Sequence, residues 1–564
     1  MMRALITAFF CLALLAAAQG CQEPPRPMEA YFVRGGMVIE AADLRQVTLW
    51  LGDAQKATWR SSTEAGKLLG PGRLWLDLDW RPGQRWRVEA IGGERREQTT
   101  ITAPRKASPL LVATIPLEDV DPAGPNSGGS PDTEVRFSPD GERLAIGSYG
   151  GWLRVVESRG GREVFSRKMA EGMVKRIAWS EVNGRQVLFV GEQSPDGFLY
   201  CLEADTGREI WRYRTADDVE TSTVSEDDSR NRIYNLPGIY QLQALDNGDL
   251  VTVSTHGWFK GDQWITKCVV YGLRGDDGRL KWRWPEKDTF PHSITWFGAS
   301  DSGGVLGFTA HHVRPADDMH SQYPGGMFYC LNGDDGRLLW KYAIPPLKPH
   351  YSSAGAWQAV CVSPNGRRLF LGLNDGRAML FNAAQGSRPA PLWIKDLGTP
   401  VMVGDVPVTS PVSYAAMSNA VAYMVLPNSI IPASSGNQRN RRPTPHPMAN
   451  YLVAMDMRGR VIWNWHGQGA FQGVFLSRDG RWVATALTSG GMTPDLNLFG
   501  MNLFDVTLPG GGADKLVFHF PTVGPLHFQG AVSPRGRYVA VSEFPYSSDE
   551  GKTIHGRYQV HVIH

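Results

Sequence analysis

Short segments of alternating apolar and polar residues recur along most of the chain, and Gly-containing turns join them in pairs. Four pairs share a Ser-Pro-Asp-Gly-like turn, in FSPDGERLAIGS, VSPNGRRLFLGL, LSRDGRWVATAL and VSPRGRYVAVSE. Alternation on both sides of a tight turn predicts a β-hairpin. The serines of these turns lie 225, 114 and 56 residues apart, which is about four, two and one times one period: Ser138, Ser363, Ser477 and Ser533.

A second recurring pattern is an apolar strand, an Asp/Gly turn and a further strand that carries Trp. It occurs in EADTGREIW, RGDDGRLKW, GDDGRLLW and DMRGRVIW, with a degenerate copy in NAAQGSRPAPLW. Interleaving the two patterns gives a unit of four strands, repeated eight times from about Thr133 to the C-terminus. Such a unit is typical of a β-propeller blade. The tryptophans of the second pattern are Trp211, Trp282, Trp340, Trp463 and Trp393.

The last unit is one strand short, and the missing strand is available in LLVATIP, residues Leu110 to Pro116. Closing a ring with a strand from the other end of the chain leaves no exposed sheet edge. Residues 28–106 do not follow the period, but their alternating runs and Gly, Pro and Asp turns predict a small antiparallel sandwich. We therefore expect an all-β protein: an eight-bladed β-propeller closed by an N-terminal strand, preceded by a small β-sandwich.

These strings resemble known repeat families. EADTGREIWRY is similar to the repeat of pyrroloquinoline-quinone (PQQ) dehydrogenases and of the outer-membrane-assembly lipoprotein propellers, and the SPDG hairpins resemble those of tryptophan-aspartate repeat propellers. Through RWRVEA and TTITAP, residues 28–106 resemble a fibronectin type III or related immunoglobulin-like module. The resemblance implies a propeller over 107–564 whose repeated tryptophans pack between blades. Enzymes and scaffolds share this repeat, so it implies no single function.

Composition agrees with this fold. The 564 residues include 63 Gly and 19 Trp, and 58 Lys+Arg balance 56 Asp+Glu. A 42% apolar content excludes a disordered chain, and the charge balance excludes a polybasic nucleic-acid binder. We expect a monomer with no nucleic-acid partner.

The N-terminus predicts export. Arg3 precedes a short apolar run and small residues, as in a secretory signal peptide over residues 1–21. The sequence around Cys21 resembles a bacterial lipoprotein processing site, which implies lipidation of Cys21, and ordinary cleavage after Ala18 is the alternative. A Pro-rich tether, residues 22–27, follows. The predicted location is the periplasm or the outer membrane, with a lipid anchor.

Histidines gather in segments that we assign to loops on one rim of the propeller. A polar, titratable pocket over the channel mouth is one interpretation of this bias, and greater loop length on that face is the other. The histidines assigned to rim loops are His256, His292, His311, His312, His320, His350, His446, His466, His527 and His555.

Candidate ligand-binding residues combine these histidines with amides on first strands. Gln358 and Gln472 occupy equivalent positions in WQAV and FQGV, and Gln529 is displaced by one place. The ligand-binding candidates are His292, His311, His312, His320, His350, Gln358, Gln472, Gln529 and His527. Asp317, Asp318 and His320 are possible metal ligands by type, although their spacing identifies no metal.

Four cysteines follow Cys21, too few for a disulfide framework: Cys201, Cys268, Cys330 and Cys361. Cys201 and Cys330 occupy the same place in two similar strings, which predicts small buried strand residues. No two cysteines are adjacent, whereas a PQQ dehydrogenase implies such a pair beneath the cofactor. Arylsulfate sulfotransferases also combine a sandwich with a propeller, and that loose resemblance makes His256 and His466 the candidate catalytic nucleophiles.

The sequence favours a non-catalytic binding or scaffold module whose partner is an envelope protein, a glycan or a small ligand. The alternative is a propeller enzyme, either sulfotransferase-like with a channel histidine or PQQ-dependent. The residues predict no specific cofactor; PQQ, which the resemblance suggests, and a divalent metal, which the rim residue types suggest, are the alternatives.

Overall fold

The computed structural model describes sixteen stretches of the chain: residues 28–64, 68–92, 95–118, 132–169, 172–221, 236–260, 263–294, 296–310, 326–345, 359–398, 400–403, 406–427, 429–431, 444–488, 498–548 and 553–564. These residues are almost entirely strands and turns, and they divide into two compact units between Leu110 and Leu111. The described helices have four residues each, so none of them is long enough to span a bilayer: α1 (Ser61–Glu64), α2 (Ala216–Val219) and α3 (Gly512–Lys515).

The first unit contains two antiparallel sheets of four strands, in the orders β1-β2-β6-β5 and β4-β3-β7-β8. Their strands are β1 (Glu29–Val33), β2 (Gly36–Glu40), β3 (Leu44–Leu51), β4 (Ala54–Arg60), β5 (Leu68–Gly70), β6 (Arg73–Asp77), β7 (Arg85–Gly92) and β8 (Arg95–Thr102). Side chains from both sheets share one core, which includes Met37 and Leu74 from one sheet and Trp59 and Trp86 from the other. Alternation with a period of two places one face of each strand in this core.

The second unit is built from four-strand repeats, numbered here in chain order. Repeats 1 to 4 contain β10 (Glu134–Phe137), β11 (Arg143–Gly147), β12 (Trp152–Glu157), β13 (Glu163–Lys168); β14 (Met173–Val182), β15 (Arg185–Gln193), β16 (Phe198–Glu203), β17 (Glu209–Arg214); β18 (Gly238–Ala244), β19 (Leu250–Lys260), β20 (Gln263–Leu273), β21 (Leu280–Trp284); and β22 (Phe297–Ala299), β23 (Val305–Ala310), β24 (Met327–Asn332), β25 (Leu338–Ala343). The single pair Gln193 and Gly238 joins the sheets of repeats 2 and 3.

Repeats 5 to 8 contain β26 (Val360–Val362), β27 (Arg368–Gly372), β28 (Arg377–Asn382), β29 (Trp393–Asp396); β32 (Tyr414–Met417), β33 (Val421–Leu426), β36 (Tyr451–Asp456), β37 (Val461–His466); β38 (Ala470–Leu476), β39 (Trp482–Thr488), β40 (Gly500–Asp505), β41 (Leu516–Pro521); and β42 (Leu526–Val532), β43 (Val539–Glu543), β46 (Gln559–Ile563), β9 (Leu111–Pro116). Short hairpins extend three connections: β30 (Val401–Val403) with β31 (Val406–Val408), β34 (Ile430–Ile431) with β35 (Thr444–Pro445), and β44 (Tyr546–Ser548) with β45 (Thr553–His555). All-β architecture with many four-stranded sheets is typical of a β-propeller.

The recurrent Trp and Gly residues pack against each other between consecutive repeats. The Trp211 indole donates a hydrogen bond to the Gly275 carbonyl at 2.8 Å, and Trp282 donates to Gly333 at 2.9 Å. A Cβ on Gly278 or Gly336 would come within 2.7 Å or 2.4 Å of the preceding Trp ring. Glycine is therefore required in these turns because the ring of the preceding repeat occupies the space of a side chain.

Strand β9 pairs with β46 and completes the sheet of the last repeat. Side chains reinforce this pairing. The His561 Nε2 atom lies 2.6 Å from the Glu543 Oε2 atom on β43, and the His561 Nδ1 atom lies 3.2 Å from the Thr114 hydroxyl on β9. One imidazole thus links three neighbouring strands, including the one that comes from before the first repeat.

Candidate functional site

Charged side chains gather where the first strands of repeats 1, 2 and 8 begin. Asp132 precedes β10, Lys175 lies on β14 and His527 lies on β42. All three are buried, and the Lys175 ammonium donates a hydrogen bond to Asp132 Oδ2. The His527 Nε2 atom lies 3.4 Å from Asp132 Oδ1. Buried charges are tolerated when they are paired in this way.

Burial and charge pairing act in opposite directions on the pKa values of Asp132 and Lys175. Burial alone would raise the pKa of Asp132, but Lys175, His527 and Arg176 outweigh it and hold that pKa well below its ordinary value. Burial lowers the pKa of Lys175, and Asp132 offsets only part of that effect. The Lys175 ammonium also lies 5.0 Å from the centroid of the Tyr240 ring. Asp132 is therefore ionised throughout the neutral range and is not a proton donor there.

A second charge network continues along the same strands. Glu134 is fully buried; Arg136 Nη2 lies 2.5 Å from its Oε1 atom, and Arg176 Nη1 lies 3.8 Å from its Oε2 atom. The Arg176 guanidinium lies 5.8 Å from the centroid of the Trp296 ring. Together with Asp132 and Lys175, the two networks hold three cationic side chains and two carboxylates. The wall formed by the first strands therefore has an excess of positive charge.

Beside these networks lies a cavity of about 360 Å³ between the first strands of repeats 1, 6, 7 and 8. Aromatic side chains form much of its wall: Trp296, Tyr414 and Phe528. The rings of Tyr414 and Phe528 are stacked with centroids 5.9 Å apart, and burial raises the pKa of Tyr414 to about 12. Arg136 and Arg478 also line the cavity. A volume of this size suits a small ligand with a ring.

The Gln529 side chain of this wall has unused hydrogen-bonding capacity. Its side chain lines the cavity and is 4% exposed, and neither the oxygen nor the nitrogen of its amide has a hydrogen-bond partner among the described residues. Leaving a buried polar group unsatisfied costs about 1–3 kcal/mol. The amide thus presents one acceptor and two donor hydrogens to whatever fills the cavity.

Arg478 belongs to the hairpin after β38 and reaches a distant repeat. Its Nη2 atom donates a hydrogen bond of 3.2 Å to Asp246, which lies in the hairpin after β18 of repeat 3. Both side chains are exposed, so this pair is screened by water and contributes little to stability. It marks the hairpin end of the cavity.

Three of the predicted ligand-binding residues lie at or near this cavity: Gln529, His527 and Gln472. His527 belongs to the charged cluster, and its Nδ1 atom accepts a hydrogen bond from the Gln529 backbone N–H at 3.2 Å. Gln472 lies on β38, and its side chain is hydrogen-bonded to the side chain of Tyr414. His292 lies elsewhere, with its ring against Phe290 at a centroid distance of 5.1 Å.

The two candidate catalytic histidines lie in different sheets, on β19 and β37. His256 is on β19, where its Nδ1 atom lies 2.9 Å from the Val219 carbonyl and its ring stacks on Trp258. His466 ends the outermost strand β37 and is exposed, stacked on Tyr451.

The prediction that the rim histidines lie in loops was wrong for four of them. His256, His466, His527 and His555 lie within strands. The hairpin of β19 and β20 extends through His256 because its residues keep pairing up to Lys260 and Gln263. The ladder continues through Gly257, which pairs with Thr266, so these strands are longer than the turn pattern predicted.

Several predicted residues lie outside the described residues: Cys21, His311, His312, Asp317, Asp318, His320, His350 and Gln358. This set includes every predicted metal ligand and the predicted lipidation site. Within the described stretches, no group of three or more His, Cys, Asp or Glu side chains is arranged to hold a metal ion.

The described cysteines are all reduced. Cys201 and Cys330 are buried on third strands, opposite Trp211 and Trp340, as their shared string predicted. Burial raises the pKa of each of these two thiols to about 12. A thiol with such a pKa is protonated near neutral pH and is a poor nucleophile.

The charged cluster was not predicted from sequence. A signal was present, because Glu134, Lys175 and Arg176 interrupt apolar first strands in TEVRF and MVKRIAW. Charges inside a buried strand imply a partner, but the partners lie on other repeats and their pairing depends on the assembled fold.

Comparison with known proteins supports the repeat assignment. The family model described as outer membrane protein assembly factor BamB matches residues 149–406. No curated protein matches the chain.

Similar solved structures include BamB from Moraxella catarrhalis, at 12% identity and a TM-score of 0.41, covering 81% of this chain and 98% of that one. Quinohemoprotein alcohol dehydrogenase from Comamonas testosteroni is similar at 13% identity and a TM-score of 0.48, covering 79% and 78%. The C-terminal WD40 domain of Sif2 is similar at 10% identity and a TM-score of 0.44, covering 81% and 97%. The predicted resemblance to PQQ-like repeats of the outer-membrane-assembly type is thus confirmed, carried by the model match over residues 149–406.

Proposed function

We propose that this protein is an exported, non-catalytic binding propeller of the bacterial envelope, anchored by a lipid at Cys21. Residues 28–106 would form its fibronectin-like sandwich and residues 107–564 its propeller. The description of the matched family model, an outer membrane assembly factor, supports an envelope location and a role in protein–protein contacts. Repeat proteins of this kind offer a rigid frame on which binding surfaces are placed.

In this proposal the eight four-strand repeats are the blades of one ring. Two observations support it. The repeated Trp residues link each of several repeats to the next, and β9 completes the sheet of repeat 8. A ring closed by a strand from before the first blade resists opening because its ends are held in one sheet.

The unused amide of Gln529 is the observation that carries the binding function. A buried amide with no partner is costly unless a ligand or water satisfies it. Trp296 and Tyr414 supply aromatic surfaces to the same cavity, and Arg136 supplies a positive charge. This combination favours a small ring-bearing ligand with hydrogen-bonding groups, such as a sugar unit of a glycan, which stacks on aromatic side chains.

The residues do not fit a quinone and calcium site. Asp132 and Glu134 are the carboxylates among the described residues of the first-strand networks, and both already serve as partners of Lys or Arg. The described cysteines lie on separate strands of different repeats. We therefore develop no dehydrogenase mechanism. The sulfotransferase alternative needs a nucleophilic histidine in the channel, whereas His466 lies on an outermost strand.

Purification of the full chain from its own membranes tests this proposal. The folded protein would be denatured, and the released small molecules and metals would be measured by mass spectrometry in the same sample. We expect a bound organic molecule in the natural protein and at least about a tenfold loss in Gln529→Leu, which corresponds to about 1.4 kcal/mol.

The matched control is Gln468→Leu, which removes an exposed amide near β38 and should leave the bound molecule in place. Equal retention by Gln529→Leu would contradict the proposed site. A stoichiometric quinone with turnover would replace the proposal by the enzyme alternative.

A further inference from the structure

A second recess of about 510 Å³ lies between repeats 4 and 5, apart from the first-strand cavity. Val305 and Leu339 of repeat 4 form one wall. Arg367 and Arg368, from the first hairpin of repeat 5, and the segment 382–385 form the other. We call this recess the repeat 5 groove.

The groove exists because the second turn of repeat 5 departs from the common pattern. In four other repeats, a Cβ on the turn glycine would come within 3 Å of a ring from the preceding repeat: Gly207 with Phe165, Gly278 with Trp211, Gly336 with Trp282 and Gly459 with Trp393. The corresponding Gly386 in NAAQGSRPAPLW has no atom within 4 Å of that position. Trp340 still donates to the Ala383 carbonyl at 2.8 Å, so the repeat interface is kept while the turn leaves space.

Repeat 5 also lacks the acidic residue that ends the third strand in four other repeats. The third strand ends on an acidic residue that pairs with a nearby arginine in four repeats: Glu157 with Arg162, Glu203 with Arg208, Asp456 with Arg460 and Asp505 with Arg481. Of these four ion pairs, the one between Asp505 and Arg481 involves the first hairpin, which is where Arg367 and Arg368 lie in repeat 5. In repeat 5 the same position is Asn382, and the turn that follows contains no acidic residue.

The arginines of the groove are therefore uncompensated. Arg368 donates to the Asn382 side-chain oxygen and, at 3.3 Å, to the Arg367 carbonyl, both neutral acceptors. Among the described residues, neither Arg367 nor Arg368 has a carboxylate partner, and the Arg367 side chain is exposed. By contrast Arg143, at the position of Arg368 in repeat 1, lies 2.5 Å from Asp205.

We propose that the repeat 5 groove is a docking site for an extended acidic peptide segment of a partner protein. Carboxylates of the peptide would pair with Arg367 and Arg368, because the guanidinium fork matches carboxylate geometry. An aliphatic side chain of the peptide would lie against Val305 and Leu339. The proposal rests on the proposed role in protein contacts but not on the ligand of the first-strand cavity.

A peptide fits this surface better than a phosphate or a lipid headgroup does. A free anion is recognised by charge, whereas most of the groove wall is apolar. Repeats 4 and 5 also carry exposed aliphatic side chains, with Leu338 on β25 at 39% exposure and Leu392, just before β29, at 47%. An alternation of carboxylate and aliphatic side chains along an extended chain meets both kinds of wall.

An array of nine-residue peptides tests the proposal on the full folded chain. Each member carries two to four Asp or Glu residues and at least one Leu, Ile, Val or Phe, and each has a partner in which Asn and Gln replace the acids. We expect a subset of acidic members to bind above their amide partners, and that signal to fall at least about tenfold in Arg367→Ala/Arg368→Ala.

Two further variants sharpen the result. Asn382→Asp restores the acidic residue of the other repeats and should weaken peptide binding about threefold or more, since it gives Arg368 an internal partner. Arg535→Ala removes an exposed arginine from the equivalent hairpin of repeat 8 and should leave binding unchanged.

The proposal is overturned if no acidic member exceeds its amide partner, or if the groove variants bind as the natural chain does. It is also overturned if inorganic phosphate or vesicles of phosphatidylglycerol bind through Arg367 and Arg368 while peptides do not. Its failure is separate from that of the first-strand site, because the Gln529→Leu experiment involves none of these residues.

Discussion

The charged cluster at the first strands and the repeat 5 groove differ in whether their charged side chains are paired. In the cluster, Asp132 and Lys175 are buried and each satisfies the other. In the groove, Arg367 and Arg368 lie at the surface with no carboxylate partner among the described residues. Buried charge must be paired for the chain to fold, whereas surface charge left without a partner costs little and stays available for another molecule.

Removing one partner of the cluster should have the largest effect. We expect Lys175→Met to lower the free energy of unfolding by about 3–5 kcal/mol, because the buried Asp132 carboxylate loses its ammonium partner. Chemical denaturation measures this loss. Lys281→Met is the control, since its partner Asp249 lies at a more exposed site and the expected loss is under about 1 kcal/mol. Equal losses would contradict the distinction, and Asp132→Asn/Lys175→Met should recover most of the loss.

A buried carboxylate that has no cationic partner among the described residues provides the next test. Burial raises the pKa of Glu192 to about 7, despite hydrogen bonds from Ser194 at 2.5 Å and from the Phe198 N–H at 3.3 Å. The folded state therefore binds more protons than the unfolded state between about pH 4.5 and pH 7, so this group makes stability fall as pH rises through that window.

Glu192→Gln should remove that dependence. Relative to the natural chain, the variant should gain up to about 3 kcal/mol between pH 5 and pH 8, as followed by denaturation at a series of pH values. Glu163→Gln, at an exposed carboxylate, should show no such gain. A parallel pH profile for the natural chain and Glu192→Gln would contradict the prediction.

The two kinds of turn are compared directly by adding one methyl group to each. Gly336→Ala should cost about 1–3 kcal/mol, because the new Cβ would come within 2.4 Å of the Trp282 ring and φ is +72°. Gly386→Ala meets no atom within 4 Å and should change stability by less than about 0.5 kcal/mol. Thermal unfolding distinguishes them. Similar losses at both glycines would show that the turn of repeat 5 packs like the others.

Restoring the missing acid of repeat 5 should have the smallest effect on stability. We expect Asn382→Asp to raise the free energy of unfolding by up to about 0.5 kcal/mol at low salt, through a partly exposed pair with Arg368. The gain should diminish at high salt because exposed pairs are screened. A loss of stability would contradict the assigned neighbourhood of Asn382.

Local pattern made the repeats predictable, whereas contacts between distant repeats did not follow from it. The packing of Trp282 between repeats and the turn at Gly336 could be predicted, because both residue types recur at fixed places in the period. The pairing of Asp132 with Lys175 and His527 depends on three strands from different repeats, which the period does not specify. His256 was misplaced because an uninterrupted hairpin extends beyond the average strand length. Asn382 differs from the acidic residue at the same position of four other repeats, but this difference becomes clear only when the repeats are aligned with the strand ends known.

The most direct test of the contrast is the affinity of one acidic array peptide for the natural chain and for Asn382→Asp, measured by fluorescence polarisation at physiological ionic strength. This change adds one carboxylate beside Arg368 and leaves both arginines in place. The account predicts binding at least about threefold weaker in Asn382→Asp, with no loss of stability. Equal affinity for the two proteins would contradict it.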